Sequence, residues 1–183
     1  KLRDIPTPAL VVDLPAMERN IKRMADFAAA GSTKLRPHFK AVKTPAIARR
    51  QLAAGQCVGL TCQTVGEVEV ALEEGLTGDI LLTNEIIGPG KADRVARIAG
   101  QGDLKVAVDS VYGVEDLARA ALAAGTEIGV VVDVNVGLPR CGVEPGEPAV
   151  NLARLVHETK GLRLSGVMGY EGHAVGKPSR AER

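Results

Sequence analysis

Short runs of branched aliphatic residues alternate with longer amphipathic stretches along this chain. The extended runs fall at Ala9–Asp13, Lys34–His38, Cys57–Thr61, Asp79–Thr83, Leu104–Asp109, Ile128–Val136 and Leu164–Gly169. Between them lie segments whose apolar positions recur every three or four residues, the spacing of one helix face. The first runs from Pro15, placed where a helix tolerates proline, to about Ala30. Its stripe is Met17, Ile21, Met24 and Phe27. Further helices are predicted over Pro45–Ala54, Val65–Glu74, Gly90–Ala99, Val114–Ala124 and Pro148–Thr159. Gly31, Gly55, Gly75, Gly100, Gly125 and Gly161 follow these helices, where a left-handed cap favours glycine.

A βα recurrence with valine- and leucine-rich strands implies a parallel sheet covered by helices. Two α/β architectures accommodate it, a doubly wound sheet and a (β/α)8 TIM-type barrel. No GxGxxG follows the first strand and no GxxxxGK[ST] occurs, so nucleotide-binding sheets lose support. Polar residues gather instead at the C-terminal ends of successive strands: His38 and Lys40, Gln63, Asn84, Asp109, Asn135 and Arg140, Tyr170 and His173. Barrel enzymes build their sites at that end. Some such positions are helix caps, and Thr64 and Ser110 fit that plainer role. A full barrel takes about 250 residues. With about six strand–helix units, residues 1–183 read as one barrel domain lacking its last two strands.

Composition narrows the function classes. The 183 residues are 45% hydrophobic and 25% charged, ordinary for a domain with its own core. A net charge of +1 gives no field to attract nucleic acid or anionic lipid. Aromatics are 2% with no tryptophan, which makes the core aliphatic and base-stacking platforms scarce. No apolar run is long enough to span a bilayer, and Lys1–Leu10 carries no secretory pattern. Cys57, Cys62 and Cys141 have no CxxC spacing and read as reduced thiols of a cytoplasmic protein.

The densest chemistry lies in Arg36-Pro37-His38-Phe39-Lys40-Ala41-Val42-Lys43. It joins a strand to a helix. A lysine desolvated at such a turn loses basicity, and its neutral amine forms a Schiff base. Arg36 and Lys43, as neighbouring cations, are expected to help keep Lys40 neutral. His38 lies two residues before Lys40, on the same side of an extended segment. It is either a proton carrier or a structural histidine. Arg140 follows Gly137-Leu138-Pro139, a turn that aims it over a strand end. Its permanent charge suits an oxyanion or a carboxylate, and a surface salt bridge is the plainer alternative. Asp133 and Asn135 alternate with valines and so share one face, expected to be the barrel interior. His173 lies past the last strand, while His157 sits mid-helix and reads as surface.

Five segments, taken in order, resemble a known family. They are Thr7-Pro8-Ala9-Leu10-Val11-Val12-Asp13-Leu14; Leu35-Arg36-Pro37-His38-Phe39-Lys40; Val132-Asp133-Val134-Asn135-Val136-Gly137; Arg140-Cys141-Gly142-Val143; and Gly169-Tyr170-Glu171-Gly172-His173. The pattern is similar to the D-threonine aldolase and D-serine dehydratase-like enzymes. These are fold-type III pyridoxal-phosphate proteins related to the N-terminal domain of alanine racemase. The resemblance implies a (β/α)8 barrel followed by a β-rich C-terminal domain. It makes Lys40 the Schiff-base lysine and sets Arg140 near the cofactor's 3-hydroxyl oxygen. It sets Tyr170 and His173 beside the pyridine ring, and Gln63 and Asn135 among the cofactor-binding residues. It also implies a divalent metal, Mn or Zn, whose ligands lie in the C-terminal domain and not in this chain. The family's phosphate-binding loops follow strands seven and eight, also outside the chain. One departure is local: where the family often continues Lys-Thr-His-Lys, this chain has Lys40-Ala41-Val42-Lys43.

The resemblance implies retro-aldol cleavage of a small D-3-hydroxy amino acid to glycine and an aldehyde. The catalytic residues expected are Lys40, His38 and His173, in a homodimer with no nucleic-acid or membrane partner. A D-serine dehydratase or an amino-acid racemase would use the same lysine. A non-catalytic pyridoxal-phosphate carrier of the same barrel type is a further alternative, as is an inactive part-barrel.

Overall fold

The computed structural model describes residues 2–183. Five parallel strands form one sheet: β1 (Leu60–Cys62), β2 (Asp79–Leu82), β3 (Asp103–Val108), β4 (Ile128–Asp133) and β5 (Leu162–Met168). Their spatial order, β1-β2-β3-β4-β5, is their chain order. Right-handed crossovers between consecutive parallel neighbours put every connecting helix on the same side. A doubly wound sheet must reverse its strand order, and this one does not. The two architectures left open by the hydrophobic pattern are thereby separated, and the fold is part of a barrel.

The helices are α1 (Leu14–Ala29), α2 (Pro45–Ala53), α3 (Val65–Glu73), α4 (Lys91–Ile98), α5 (Val111–Ala124) and α6 (Glu147–Glu158). Asp13, Thr64 and Ser110 cap α1, α3 and α5 by accepting backbone N–H groups from Ala16, Glu67 and Gly113. Gly55, Gly75, Gly125 and Gly161 take positive φ as expected of caps, whereas Gly31 and Gly100 do not. Gly100 lies within a short 3-10 turn that prolongs α4.

Strand alternation sorts the two sheet faces. Leu60, Ile80, Leu82, Val106, Val108, Ile128, Val130 and Val132 are buried in one aliphatic cluster with α3, α4 and α5. The intervening positions line the inner face. Its floor is ionic. Asp79 accepts two hydrogen bonds from the Arg36 guanidinium, at 2.8 and 2.7 Å, and one from Lys105 at 2.9 Å. Burial pushes the Asp79 carboxyl up, but those cationic donors together hold it below its ordinary range. Gly59 leaves room for the Arg36 and Asp79 contact. Thr61, Ala107 and Val131 form a buried middle layer, and Asp109 and Asp133 stand at the C-terminal mouth.

Three expectations need correction, and one helix stripe is left largely uncovered. Ala9–Asp13 forms no strand, and Leu10 is fully exposed. Lys34–His38 joins the sheet only through isolated bridges, Leu35 to Cys57 and His38 to Thr61. The stripe on α1 does not face a core: Met24 and Phe27 are 48% and 74% exposed. Met17 and Ile21 line a cavity of about 620 Å³ between α1 and the Leu35–Cys57 region. A periodic stripe predicts a helix, but what covers it is a tertiary matter. Finally, Arg36 points to the ionic floor and is engaged by Asp79, so its charge is spent there and not beside Lys40.

Candidate active site

The mouth of the part-barrel has two lips. The first follows the Leu35–His38 segment. Phe39–Ala41 is one turn of 3-10 helix, anchored by a buried Phe39 side chain. Lys40 is exposed at its tip. Its amine is open to solvent, so the burial at the turn expected from the sequence is not found among the described residues. The His38 ring accepts the Lys40 backbone N–H through Nδ1 at 3.4 Å and faces the Thr61 backbone. Burial first, and then the Lys40 charge, push the His38 pKa below its ordinary value, against smaller opposing effects of Glu67 and Thr61. His38 is therefore neutral near pH 7. Gln63, beyond β1, is exposed and donates its backbone N–H to Glu67 Oε2 at 2.8 Å.

The second lip is built from the turn after β4 and the segment after β5. The strand ends at Asp133, so Asn135 does not share an interior face with it; this corrects the pattern-based expectation. Asn135 instead staples the turn, accepting the Gly137 N–H at 3.0 Å and donating to Glu144 at 3.0 Å. Asn135 and Val143 also join through a backbone bond of 2.8 Å. The Gly142 N–H reaches Asp109 Oδ2, 3.1 Å away at the end of β3. Gly142 has φ near +94°, and a Cβ there would lie 2.7 Å from the Asn135 nitrogen. Only glycine fits without shifting backbone.

This turn carries Arg140, whose guanidinium lies 5.1 Å from the centre of the Tyr170 ring. The contact is of cation–π type. His173 packs on the same lip: a Cβ at Gly137 would come within 2.8 Å of its ring. The structure thus gathers Asn135, Arg140, Tyr170 and His173 on one lip, and Lys40 and His38 on the other, with Gln63 beside β1.

Sequence reasoning missed Glu85. It follows β2 and sits with Asp133 and Cys141, their ligating atoms all within 4.8 Å of one another. Burial raises the Glu85 pKa, aided by the charges of Asp109 and Asp133. Burial also raises the Cys141 thiol, although Arg140 donates to it. That contact in turn raises the Arg140 pKa further. The signal available in the sequence was a lone acid in the loop Asn84-Glu85-Ile86-Ile87. No periodicity marks such a residue as half-buried with its Oε1 atom out of solvent.

Residues 12–183 match the family described as "Alanine racemase, N-terminal domain". The chain belongs to this family. Members similar to it include a 3-hydroxy-D-aspartate aldolase of Paracoccus denitrificans, 39% identical over 92% of this chain and 44% of the relative. A D-threonine aldolase of Arthrobacter is 36% identical over 100% of this chain and 48% of its own length. The crystal structure of D-threonine aldolase from Filomicrobium marinum superposes with a TM-score of 0.90 at 46% identity, covering 94% of this chain and 46% of the other. The chain therefore spans about half the length of the curated relatives it matches. Among the described residues no helix is long and apolar enough to cross a membrane.

Proposed function

We propose that the chain is the lysine-bearing barrel domain of a pyridoxal-phosphate-dependent lyase. It would cleave the Cα–Cβ bond of D-3-hydroxy amino acids to glycine and an aldehyde. The observation that carries this reading is the two-lipped mouth, with an exposed primary amine on one side and a guanidinium stacked on a phenol ring on the other. Two aldolases and a D-threonine aldolase structure among its relatives support it.

The donor set fits pyridoxal phosphate: an amine for its aldehyde, a guanidinium for its ring oxygen and an aromatic face for its ring. When bound, the cofactor supplies an electron sink for bond breaking at Cα. Lys40 would hold it. His38, engaged through Nδ1, positions the Lys40 turn and stays neutral, so it adds no second positive charge beside the amine. Arg140 would stabilise negative charge on the ring oxygen or on a substrate carboxylate, and Tyr170 fixes the guanidinium plane. His173 is exposed and packed on the arginine turn, placed to move a proton at the mouth. Asn135 holds the turn itself, and Gln63 borders the β1 end.

The divalent metal of the family reading does not fit the described residues. The trio Glu85, Asp133 and Cys141 lies under Arg140, which already engages Cys141. A metal would draw its ligands from elsewhere. The three free thiols suit a reducing, cytoplasmic setting, and a homodimer belongs to the same proposal.

Borohydride reduction of the cofactor-loaded full chain, followed by peptide mapping, tests the assignment. The label is expected on Lys40, and a label elsewhere sinks it. Glycine and acetaldehyde from D-threonine, with added Mn²⁺, are the products expected. A D-threo-3-hydroxyaspartate dehydratase of Delftia, 34% identical, supports a dehydratase as the second reading. Release of ammonia and a 2-oxo acid instead of glycine would select it.

A further inference from the structure

The segment that leads to Lys40 is held to the sheet irregularly. Its bridges pair Leu35 with Cys57 and His38 with Thr61, so three steps along the segment face four along its partner. Such a mismatch is a bulge, and the extra residue interrupts the ladder. Pro37, in the middle, has no N–H to give. Three backbone bonds remain: Leu35 N–H to Gln56 O at 2.7 Å, Val58 N–H to Leu35 O at 2.9 Å and Thr61 N–H to Pro37 O at 2.8 Å. Strands β1 to β4, by contrast, pair in unbroken register.

A side-chain tie lies at that fault. Arg36 precedes Pro37 and reaches past the start of β1 to Asp79, the first residue of β2. The contact is bidentate, Nη1 to Oδ1 at 2.8 Å and Nη2 to Oδ2 at 2.7 Å, and Nη1 also donates to the Asp79 carbonyl oxygen at 3.2 Å. A planar guanidinium bound at two oxygens fixes direction as well as distance. It crosses where Gly59 has no side chain: a Cβ there would collide with the guanidinium and with the Asp79 carbonyl. The pair thus links the segment to its second neighbour in the sheet, which no ladder does. Asp79 is itself held from the far side by Lys105 at 2.9 Å, and Lys105 by Asp103 at 2.6 Å. Arg163 on β5 bonds Asp103 at 3.2 Å. The acceptor of the tie is therefore anchored to β3 and, through Asp103, to β5.

We propose that Arg36 and Asp79 are positioning residues for Lys40: their pairing fixes how far the Leu35–His38 segment is advanced along β1, and so where the Phe39–Ala41 turn presents the amine. The proposal rests on the reading of Lys40 as the cofactor-holding lysine. Arg36 and His38 lie two residues apart on an extended segment and face the same side, with the turn next in the chain. A slip of one residue at Arg36 would turn that side over and carry Lys40 with it. Arg36 acts through the backbone and not through its charge, which Asp79 takes up.

The test uses the full chain. Arg36→Met combined with Asp79→Asn removes the tie without leaving either charge unpaired, and Lys105 keeps Asp103. This neutral pair is expected to hold thermal stability close to the parent's, because a desolvated ion pair is costly to break from one side but not to replace as a whole. Two readouts should change nonetheless. Deuterium uptake followed by mass spectrometry should rise over residues 35–42 and stay as in the parent over β3 and β4. With pyridoxal phosphate added, borohydride trapping at Lys40 should slow by about 10²-fold, the scale of a small misplacement of a reacting group. Arg36→Lys, which keeps the charge but not the fork, stands in if the double variant misfolds, and the same two changes are expected of it. Uptake that rises evenly over the sheet, or trapping at the parent's rate in a folded variant, overturns the proposal. A parent chain that traps no cofactor on Lys40 sinks the lyase reading instead, while the uptake pattern still decides whether the pair holds the segment.

Discussion

The two lips of the mouth are built by opposite strategies. The lysine lip is one turn of 3-10 helix on a segment joined to the sheet by isolated bridges, with Phe39 as its anchor. The arginine lip is stapled by Asn135, tied to β3 through Asp109, and closed by glycines too tightly packed to admit a side chain. Under the proposed function, the difference follows from what each lip would present. A nucleophilic amine must reach an aldehyde and exchange partners, which an exposed side chain on a short turn allows. A guanidinium that recognises charge gains most when it is already oriented and need not reorganise.

If that contrast holds, substitutions on the two lips should fail differently. The largest effect is expected for Lys40→Ala, which leaves the fold intact but lowers turnover by at least ~10³-fold and abolishes borohydride labelling. Steady-state kinetics and mass spectrometry read both. Labelling that survives would move the nucleophile elsewhere. Next in size, Phe39→Ala removes the buried side chain that anchors the lysine lip and should cost about 3 kcal/mol in urea unfolding. A loss under about 1 kcal/mol would mean that the lip is held by contacts other than the core.

Gly142→Ala forces a Cβ against the Asn135 backbone at φ near +94°. We expect a stability loss of about 2 kcal/mol. Cofactor affinity should fall while Lys40 labelling at saturating cofactor is retained, a separation that Phe39→Ala should not show. The smallest effect concerns protonation. His38 should titrate below 6.5, and its midpoint should rise in Lys40→Ala because one of the two causes of the depression, the Lys40 charge, is gone. Since the folded state resists protonating His38, stability rises as pH climbs through the window between the depressed value and 6.5. NMR titration of the ring protons reads the midpoint, and one that ignores Lys40 would break the link between the two residues.

Much of this was legible in the hydrophobic pattern. The helices from Pro45 to Thr159 appear within a few residues of their expected ends. Thr64 and Ser110 cap as their side chains suggest. Those features depend on neighbours three or four positions away. The mouth residues were found by another route, because the resemblance rests on motifs whose order survives in the chain. What escaped were relations between distant positions. Arg36 looked like a partner of Lys40 because it is four residues away, but its guanidinium reaches Asp79, 43 positions on. Asn135 looked like an interior strand residue because valines flank it, yet β4 stops at Asp133 and the chain turns. Glu85 carried no periodic signature at all.

By itself the sequence determined the alternation of strands and helices, the aliphatic face that packs beneath α3 to α5, and a lysine at a strand-to-helix turn. These follow from periods of two and 3.6 residues and from backbone chemistry, which act locally. The tertiary structure decided that the sheet curls as a barrel and does not reverse, that α1 stands apart from the core, and that three acids meet under one arginine. Those outcomes depend on which strand ends become neighbours. That is settled only when the sheet forms and burial changes the cost of each charge.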